Sequence, residues 1–367
     1  MSKTKVLQVV DTLYTGGLEM VVKNILLYTK DSFDNSCLVC CDNETDFEAE
    51  LREKGIKIYH IPTPDTLKQA FYRNLLSFFR EHNDFSLVHV HMSFSCGIVA
   101  KAAKKNGIKV VVSHSHEMER EKDRHLARRF YAPAMRSLIL RYSDAFLACS
   151  KGAGDFLFTG KDFSEKGKVF LNGVDTARFA FNPETREKAR RELGLEYKTV
   201  LGAVGSLITI KNHKRIVEML KCNGSFAALI VGEGITRTAL TELAEKEGVS
   251  DRLLLPGKHS DIEYYLNAMD VFVFPSVSEG FPVALVEAQA NGLPCLVSEA
   301  IQKESYINEN VEGLKLADSP QKWAEKAEQM AKLPRITDQG RLKERGLDLR
   351  QSMSDLEILY QALLSSR

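Results

Sequence analysis

Glu279 and Glu287 stand eight residues apart in Pro275-Ser-Val-Ser-Glu-Gly-Phe-Pro-Val-Ala-Leu-Val-Glu287-Ala-Gln-Ala. A carboxylate beside free backbone N–H groups can hold sugar hydroxyls while the N–H groups hold an anion. The elements that must position them are legible around the pair. Val271-Phe-Val-Phe274 reads as a buried strand, and Val283 to Ala290 reads as a helix with Pro282 at its first position, where the missing N–H does no harm. A strand, a tight loop through Gly280, Phe281 and Pro282, and a positive helix end follow in succession. An anionic ligand belongs above that strand, and Glu287, half-way into the helix, could clasp a vicinal diol beside it.

The spacing of Glu, seven residues and Glu, with Gly-Phe-Pro after the first, resembles the signature of the bacterial group 1 glycosyltransferases (glycosyltransferase family 4). These are retaining enzymes of GT-B fold, and the resemblance is strongest to those that assemble capsule, O-antigen and exopolysaccharide. It extends over nearly the whole chain. It implies that Glu287 holds the ribose hydroxyls of a nucleotide and that Glu279 holds hydroxyls of the donor sugar. It further implies that N–H groups of Gly280, Phe281, Val283 and Ala284, with Gly17 and Lys211, bind the diphosphate.

Other turns follow the same order. Thr15-Gly16-Gly17-Leu18-Glu19 opens a helix after the first strand; paired glycines let backbone approach a ligand closely. The family's Gly-Gly-x-Glu matches Gly16, Gly17 and Glu19, with Glu19 on the acceptor side. Val110-Val-Val-Ser-His114-Ser-His116 is a strand end. The expectation is that its two rings diverge to opposite faces, a poor metal pair. The family places a donor-sugar histidine here, His114 first and His116 second, with catalytic roles implied for His114, Glu279 and Lys211. His89 and His91 end another strand as structural or acceptor-side residues. Gly205-Ser206 precedes Lys211 by the family's interval, but Ser206 stands where the family carries an Arg. One clamp cation for the departing diphosphate is therefore missing, unless Arg215, Lys214 or the helix dipole substitutes. Val231-Gly-Glu-Gly234 and Leu255-Pro-Gly257-Lys258 close two further strands, and the family sets the second of these loops against the nucleobase.

The 367 residues predict two domains. Lys plus Arg number 50 and Asp plus Glu 49, so the net charge of +1 gives no general attraction to nucleic acid. Apolar strand runs near 5–10, 37–41, 56–60, 86–91, 109–114, 144–149, 168–171, 199–205, 226–231, 252–255, 270–274 and 294–297 alternate with helical segments, which predicts an α/β chain of two doubly wound Rossmann-like domains facing across a cleft. The expected boundaries are 1–175 for an acceptor-side domain, 176–197 for a hinge, and 198–349 for a nucleotide-sugar domain. The final helix, about 350–367, is expected to pack back on the first. No apolar window reaches 18 residues and no leader precedes the first strand, so a cytoplasmic location is expected. Seven scattered cysteines predict buried reduced thiols, Cys37, Cys40 and Cys41 included.

Residues 101–141 carry eleven Lys or Arg against four Asp or Glu. Within 117–142 the basic residues run beside Phe130, Tyr131, Met135, Leu138, Ile139 and Leu140, a pattern suited to an anionic membrane surface at the inner face of the plasma membrane. No Asp-x-Asp pair sits at a strand end, and neither a metal nor a cofactor is expected. The reading is a hexosyltransferase-type enzyme moving sugar from a nucleotide diphosphate donor, UDP by subgroup resemblance, to a glycan on a lipid carrier. The alternatives are a GT-B epimerase or phosphorylase, or a non-catalytic nucleotide-sugar-binding protein, which the Ser206 departure favours.

Overall fold

The apolar runs form parallel strands in two separate sheets. The computed structural model describes residues 3–14, 16–62, 69–116, 126–171, 173–279 and 281–366, and all their side chains save those of 126–130. In the first sheet lie β1 (Thr4–Val10), β2 (Phe33–Val39), β3 (Lys57–His60), β4 (Leu87–Val90), β5 (Val110–Ser115), β6 (Ala145–Ala148) and β7 (Gly167–Val169), in the order β3-β2-β1-β4-β5-β6-β7. The second holds β8 (Thr199–Val204), β9 (Phe226–Val231), β10 (Leu253–Gly257), β11 (Val271–Phe274), β12 (Cys295–Ser298) and β13 (Val311–Leu314), in the order β10-β9-β8-β11-β12-β13. Each sheet is doubly wound, as expected of a GT-B chain. Its strand order reverses once, beside β1 in the first and beside β8 in the second. Ligands of such sheets bind at the carboxyl ends of the strands flanking that reversal.

The chain divides into two compact units, residues 1–172 with 350–367, and residues 173–349. In the first, Tyr360 of helix Leu349–Ser365 is fully buried, edge-on to Phe33 and hydrogen-bonded to His89 and Gln8. Segment 176–197, expected as the connector, is counted with the second unit. Its helix Pro183–Glu192 is fastened there through Arg186 and Arg190, which both pair with Asp270.

Two strand expectations change. β2 begins four residues before the predicted start at 37, because Asn35 and Ser36 look like loop residues yet are buried. Asn35 donates to the carbonyl of Leu26 and to Thr29, which removes the cost of burying its amide. β13 was not predicted; Glu312 and Gly313 interrupt its apolar character, as an edge strand allows. All seven cysteines are free; five are buried, but Cys41, expected to be buried, and Cys222 are half-exposed, and burial pushes the Cys96 and Cys149 thiols up to about 12.

Candidate active site

In the second unit the reversal brings the turns after β8 and β11 together. Val277 N–H donates to Ile210 O at 2.8 Å, and the Asn212 amide donates to Pro275 O at 3.2 Å. This joins the Ser206–Lys211 loop to the Glu279 loop. Lys211 Nζ then meets both carboxylate oxygens of Glu279, at 2.8 and 3.0 Å, and lies 5.4 Å from the ring centre of Phe274. Next to them, the turn after β9 packs backbone to backbone on the turn after β8. A Cβ at Gly232, where φ is +149°, would lie 2.0 Å from Gly205 O, and one at Gly234, where φ is +157°, would lie 2.3 Å from Leu207 O. Only glycine fits at either position. Gly257 closes β10 and accepts from Gly232 N–H at 2.8 Å, and Lys258 after it is exposed.

The helix after β11 spans Val283–Ala290 with Pro282 as its N-cap. Pro282 therefore sits one residue before the expected first helical position, because its φ of −84° and ψ of 75° lie outside the helical region. Val283 N–H is spent in a tight turn to Phe281 O, so it is not among the donors left for an anion. Gly280 lies outside the described residues. Glu287 sits one turn in, partly buried, and no side chain among the described residues hydrogen-bonds its carboxyl group. Burial first, and Glu263 next in that direction, raise its pKa to about 8 against the opposing charge of Arg178. Arg178 itself is engaged with Glu263 at 2.8 Å and with the carbonyl of Ser260. Arg178 and Glu263 escaped the sequence reading because they lie 109 and 24 residues from Glu287 with no shared pattern.

Ser206 is exposed and offers no charge in place of the family's Arg. The proposed substitutes are engaged elsewhere. Arg215 donates to Leu316 O and Asp318 O and packs 5.9 Å from the Trp323 ring centre. Lys214 faces Glu218 at 3.8 Å along its own helix. His213, also unforeseen, is buried two residues after Lys211, and burial with the lysine charge pushes its pKa down to about 4. Thus Lys211 is the one predicted clamp cation at this turn, and it is paired with Glu279.

In the first unit, Gly16 is the N-cap of helix Gly17–Tyr28, and the Glu19 carboxyl group folds back to within 2.3 Å of where a Cβ on Gly16 would lie. Gly17 faces open space. Across the reversal, β4 and β5 deliver His89, His91, His114 and His116 into one cluster. Adjacent ring centres are 4.1 Å apart for His89 and His91, and 4.0 Å for His114 and His116. The expectation that His114 and His116 diverge is wrong, because alternate residues of an extended chain share a face. His114 is fully buried, whereas His116 keeps some exposure. Burial is the main cause that lowers all four pKa values, that of His116 to about 3. A surface hollow of about 740 Å³ lined by Lys3, Lys5, Lys30 and Asp34 opens at the other edge of this sheet, away from these residues.

Of the basic segment 117–142, residues 117–125 lie outside the described residues. In helix Leu126–Tyr142, Ile139 is buried and Met135, Leu138 and Leu140 are partly so. Arg136 turns inward to the carbonyls of Phe156 and Leu157. Of the described apolar residues, Ile139 is thus enclosed within its own unit and the others are partly covered. Among the described residues no helix is long and apolar enough to cross a membrane.

Residues 15–178 match the family described as Glycosyltransferase Family 4, and residues 185–347 match Glycosyl transferases group 1. A Bacillus subtilis (strain 168) protein named as a glycosyltransferase, EpsF, is 32% identical over 88% of this chain and 87% of its own length. The chain is a group 1, family 4 glycosyltransferase. A second relative of this glycosyltransferase, from Escherichia coli, is named UDP-Gal:alpha-D-GlcNAc-diphosphoundecaprenol alpha-1,3-galactosyltransferase. It is 27% identical over 82% of this chain and 80% of its own. Anabaena HepE, solved in complex with UDP-glucose, shares the fold with a TM-score of 0.76 at 18% identity, covering 99% of this chain and 98% of that one.

Proposed function

We propose that this glycosyltransferase moves a hexose from a UDP-sugar to a hydroxyl of a lipid-linked glycan during surface polysaccharide assembly, with retained configuration. The observation that carries the reading is the contact of Lys211 with Glu279 at the strand reversal of the second unit, with Glu287 one turn into the helix that follows the Glu279 loop. Glu287 accepts from the ribose diol, and Glu279 orients the donor sugar. Lys211 and the N-terminus of helix Val283–Ala290 stabilise charge on the departing diphosphate. The bond from the anomeric carbon to the phosphate oxygen breaks, the acceptor oxygen bonds to that carbon from the same face, and the leaving diphosphate takes the acceptor proton. No divalent metal is required for that step, since a lysine and a helix end supply the counter-charge. On the acceptor side we assign Gly16, Gly17, Glu19 and His91. Of the two strand-end histidines, the more exposed His116 suits substrate contact better than the enclosed His114. The enzyme works in the cytoplasm, with the basic segment 117–142 and the carrier lipid meeting an anionic membrane surface.

The UDP choice and the lipid carrier are supported by the names of the Escherichia coli relative and of the HepE complex. Thermal shift with UDP, GDP, ADP and their sugar conjugates tests the site, because a ligand of the native state raises Tm by mass action. A rise with one base that is lost in Glu287→Ala supports the reading. No rise with any nucleotide counts against it. Sugar transfer that proceeds without added Mg2+ or Mn2+ supports the metal-free step, and an absolute requirement for either overturns it.

A further inference from the structure

The histidine cluster of the first unit holds more ring nitrogens than it has partners. Four imidazoles meet at the carboxyl ends of β4 and β5, which pair in register with His89 opposite Val112 and Val90 opposite Ser113. His89 Nδ1 lies 2.6 Å from the Tyr360 hydroxyl, and His91 lies 3.0 Å from Gln8 Oε1 through Nε2 and 2.9 Å from His116 Nε2 through Nδ1. That leaves His89 Nε2, His116 Nδ1 and both nitrogens of His114 buried with no hydrogen-bond partner. Buried polar atoms are seldom left this way, and several in one place point to a missing ligand. One nitrogen each from His89, His91 and His114 lies within 4.8 Å of the others.

We propose that His89, His91 and His114 form a site for a divalent transition metal of borderline softness, Zn2+ above all. Three neutral imidazoles are a donor set that suits Zn2+ and its neighbours rather than Mg2+ or Ca2+. The surroundings supply what such ligands need on their far sides. With Nδ1–H of His89 donating to Tyr360, its Nε2 carries the lone pair. With Nε2–H of His91 donating to Gln8 Oε1, its Nδ1 does. Outer partners of this kind fix tautomer and ring orientation at metal sites. A tetrahedral ion with bonds of about 2.1 Å needs ligand nitrogens about 3.4 Å apart, so the rings close inward when the ion enters. His116, at the partly exposed edge, or water completes the set. The ion would pin the ends of β4 and β5 together. The ion would occupy His91 and His114 and so displace the substrate contacts assigned to those rings above, while leaving Lys211, Glu279 and Glu287 untouched and supplying nothing to the diphosphate.

Full-length protein, stripped with chelator and dialysed, is titrated with Co2+ while the visible absorption of a four-coordinate site is followed, and then with Zn2+ in competition. One equivalent should bind in wild type and in His82→Gln, a histidine outside the cluster, and binding should be lost in His114→Asn with unchanged circular dichroism. Bound Zn2+ should also raise Tm. Absence of saturable binding at one equivalent, or equal binding by His114→Asn, overturns the site. Should that variant fail to fold, wild type labelled with 15N-histidine decides. Zn2+ must then shift ring nitrogens of His89, His91 and His114 among the nine histidines, and shifts confined to other histidines overturn the proposal.

Discussion

Lys211 spans both carboxylate oxygens of Glu279, at 2.8 and 3.0 Å, so the cation proposed for the diphosphate is neutralised by the acid proposed for the donor sugar. The two roles are thereby coupled. Releasing the lysine by Glu279→Gln should tighten UDP binding several-fold while lowering kcat by about 100-fold, since transition-state contacts of this type contribute roughly that much. Product inhibition and initial rates, measured on the same preparation, check both signs. If kcat and UDP affinity fall together, the coupling is wrong.

Removing the cation acts differently. Lys211→Ala should lower kcat about 100- to 1000-fold and weaken UDP binding as well. Single-turnover rates with saturating donor separate the chemical loss from the binding loss.

Glu287 gives the protein a pH signature. Its pKa is raised to about 8 from an ordinary 4.5 by burial, so between those values the folded protein keeps a proton that the unfolded chain has released. Stability must therefore fall as pH rises from about 5 to 8. Glu287→Gln lacks this contribution, so the Tm of wild type should fall relative to that of Glu287→Gln across the window. A ribose diol hydrogen-bonds best to the ionised form, so nucleotide binding should expel protons near pH 7. Calorimetry in buffers of different ionisation enthalpy measures that release, and a buffer-independent enthalpy would remove Glu287 from the ribose.

Ser206→Arg restores the cation that the family carries. Ser206 is exposed and Arg215 is tied to Leu316 and Asp318, so the new guanidinium adds a cation that Arg215 does not supply. UDP affinity should rise by up to about tenfold, roughly 1.4 kcal/mol, with a steeper salt dependence than wild type. Titration at two ionic strengths tests it.

Tyr360→Phe keeps the ring against Phe33 and deletes only the hydroxyl that meets His89 and Gln8. Leaving those groups unpaired should cost about 1–3 kcal/mol, seen in urea unfolding as a lower midpoint for the first unit. Nucleotide binding by the second unit should be unchanged.

The sequence carried much of this arrangement, and the failures are physically informative. Most of the twelve strands read in the sequence were legible because they are apolar and buried on both faces, as central strands of parallel sheets are, whereas β3, β7 and β10 are half-buried or exposed strands at the sheet edges. β13, with Glu312 and Gly313, lacked that signature, and the polar start of β2 hid behind side-chain hydrogen bonds that no local pattern reveals. Glu279 and Lys211 were each visible at a strand end. Their contact across 68 residues depends on β8 and β11 being neighbours, which is a property of the sheet. Arg215 looked like a free cation, and only packing shows it spent. The convergence of His114 with His116 follows from the strand's two-residue period, which puts both rings on one face.

The backbone contacts at Gly232 and Gly234 bear on redesign. Both turns are fixed by main-chain atoms pressed together, so their shape is insensitive to which side chains surround them. A mutagenesis library aimed at a new donor should hold positions 205, 232 and 234 constant. Diversity belongs at Ser206, Glu233 and Lys258, whose side chains decorate a scaffold that their replacement leaves standing.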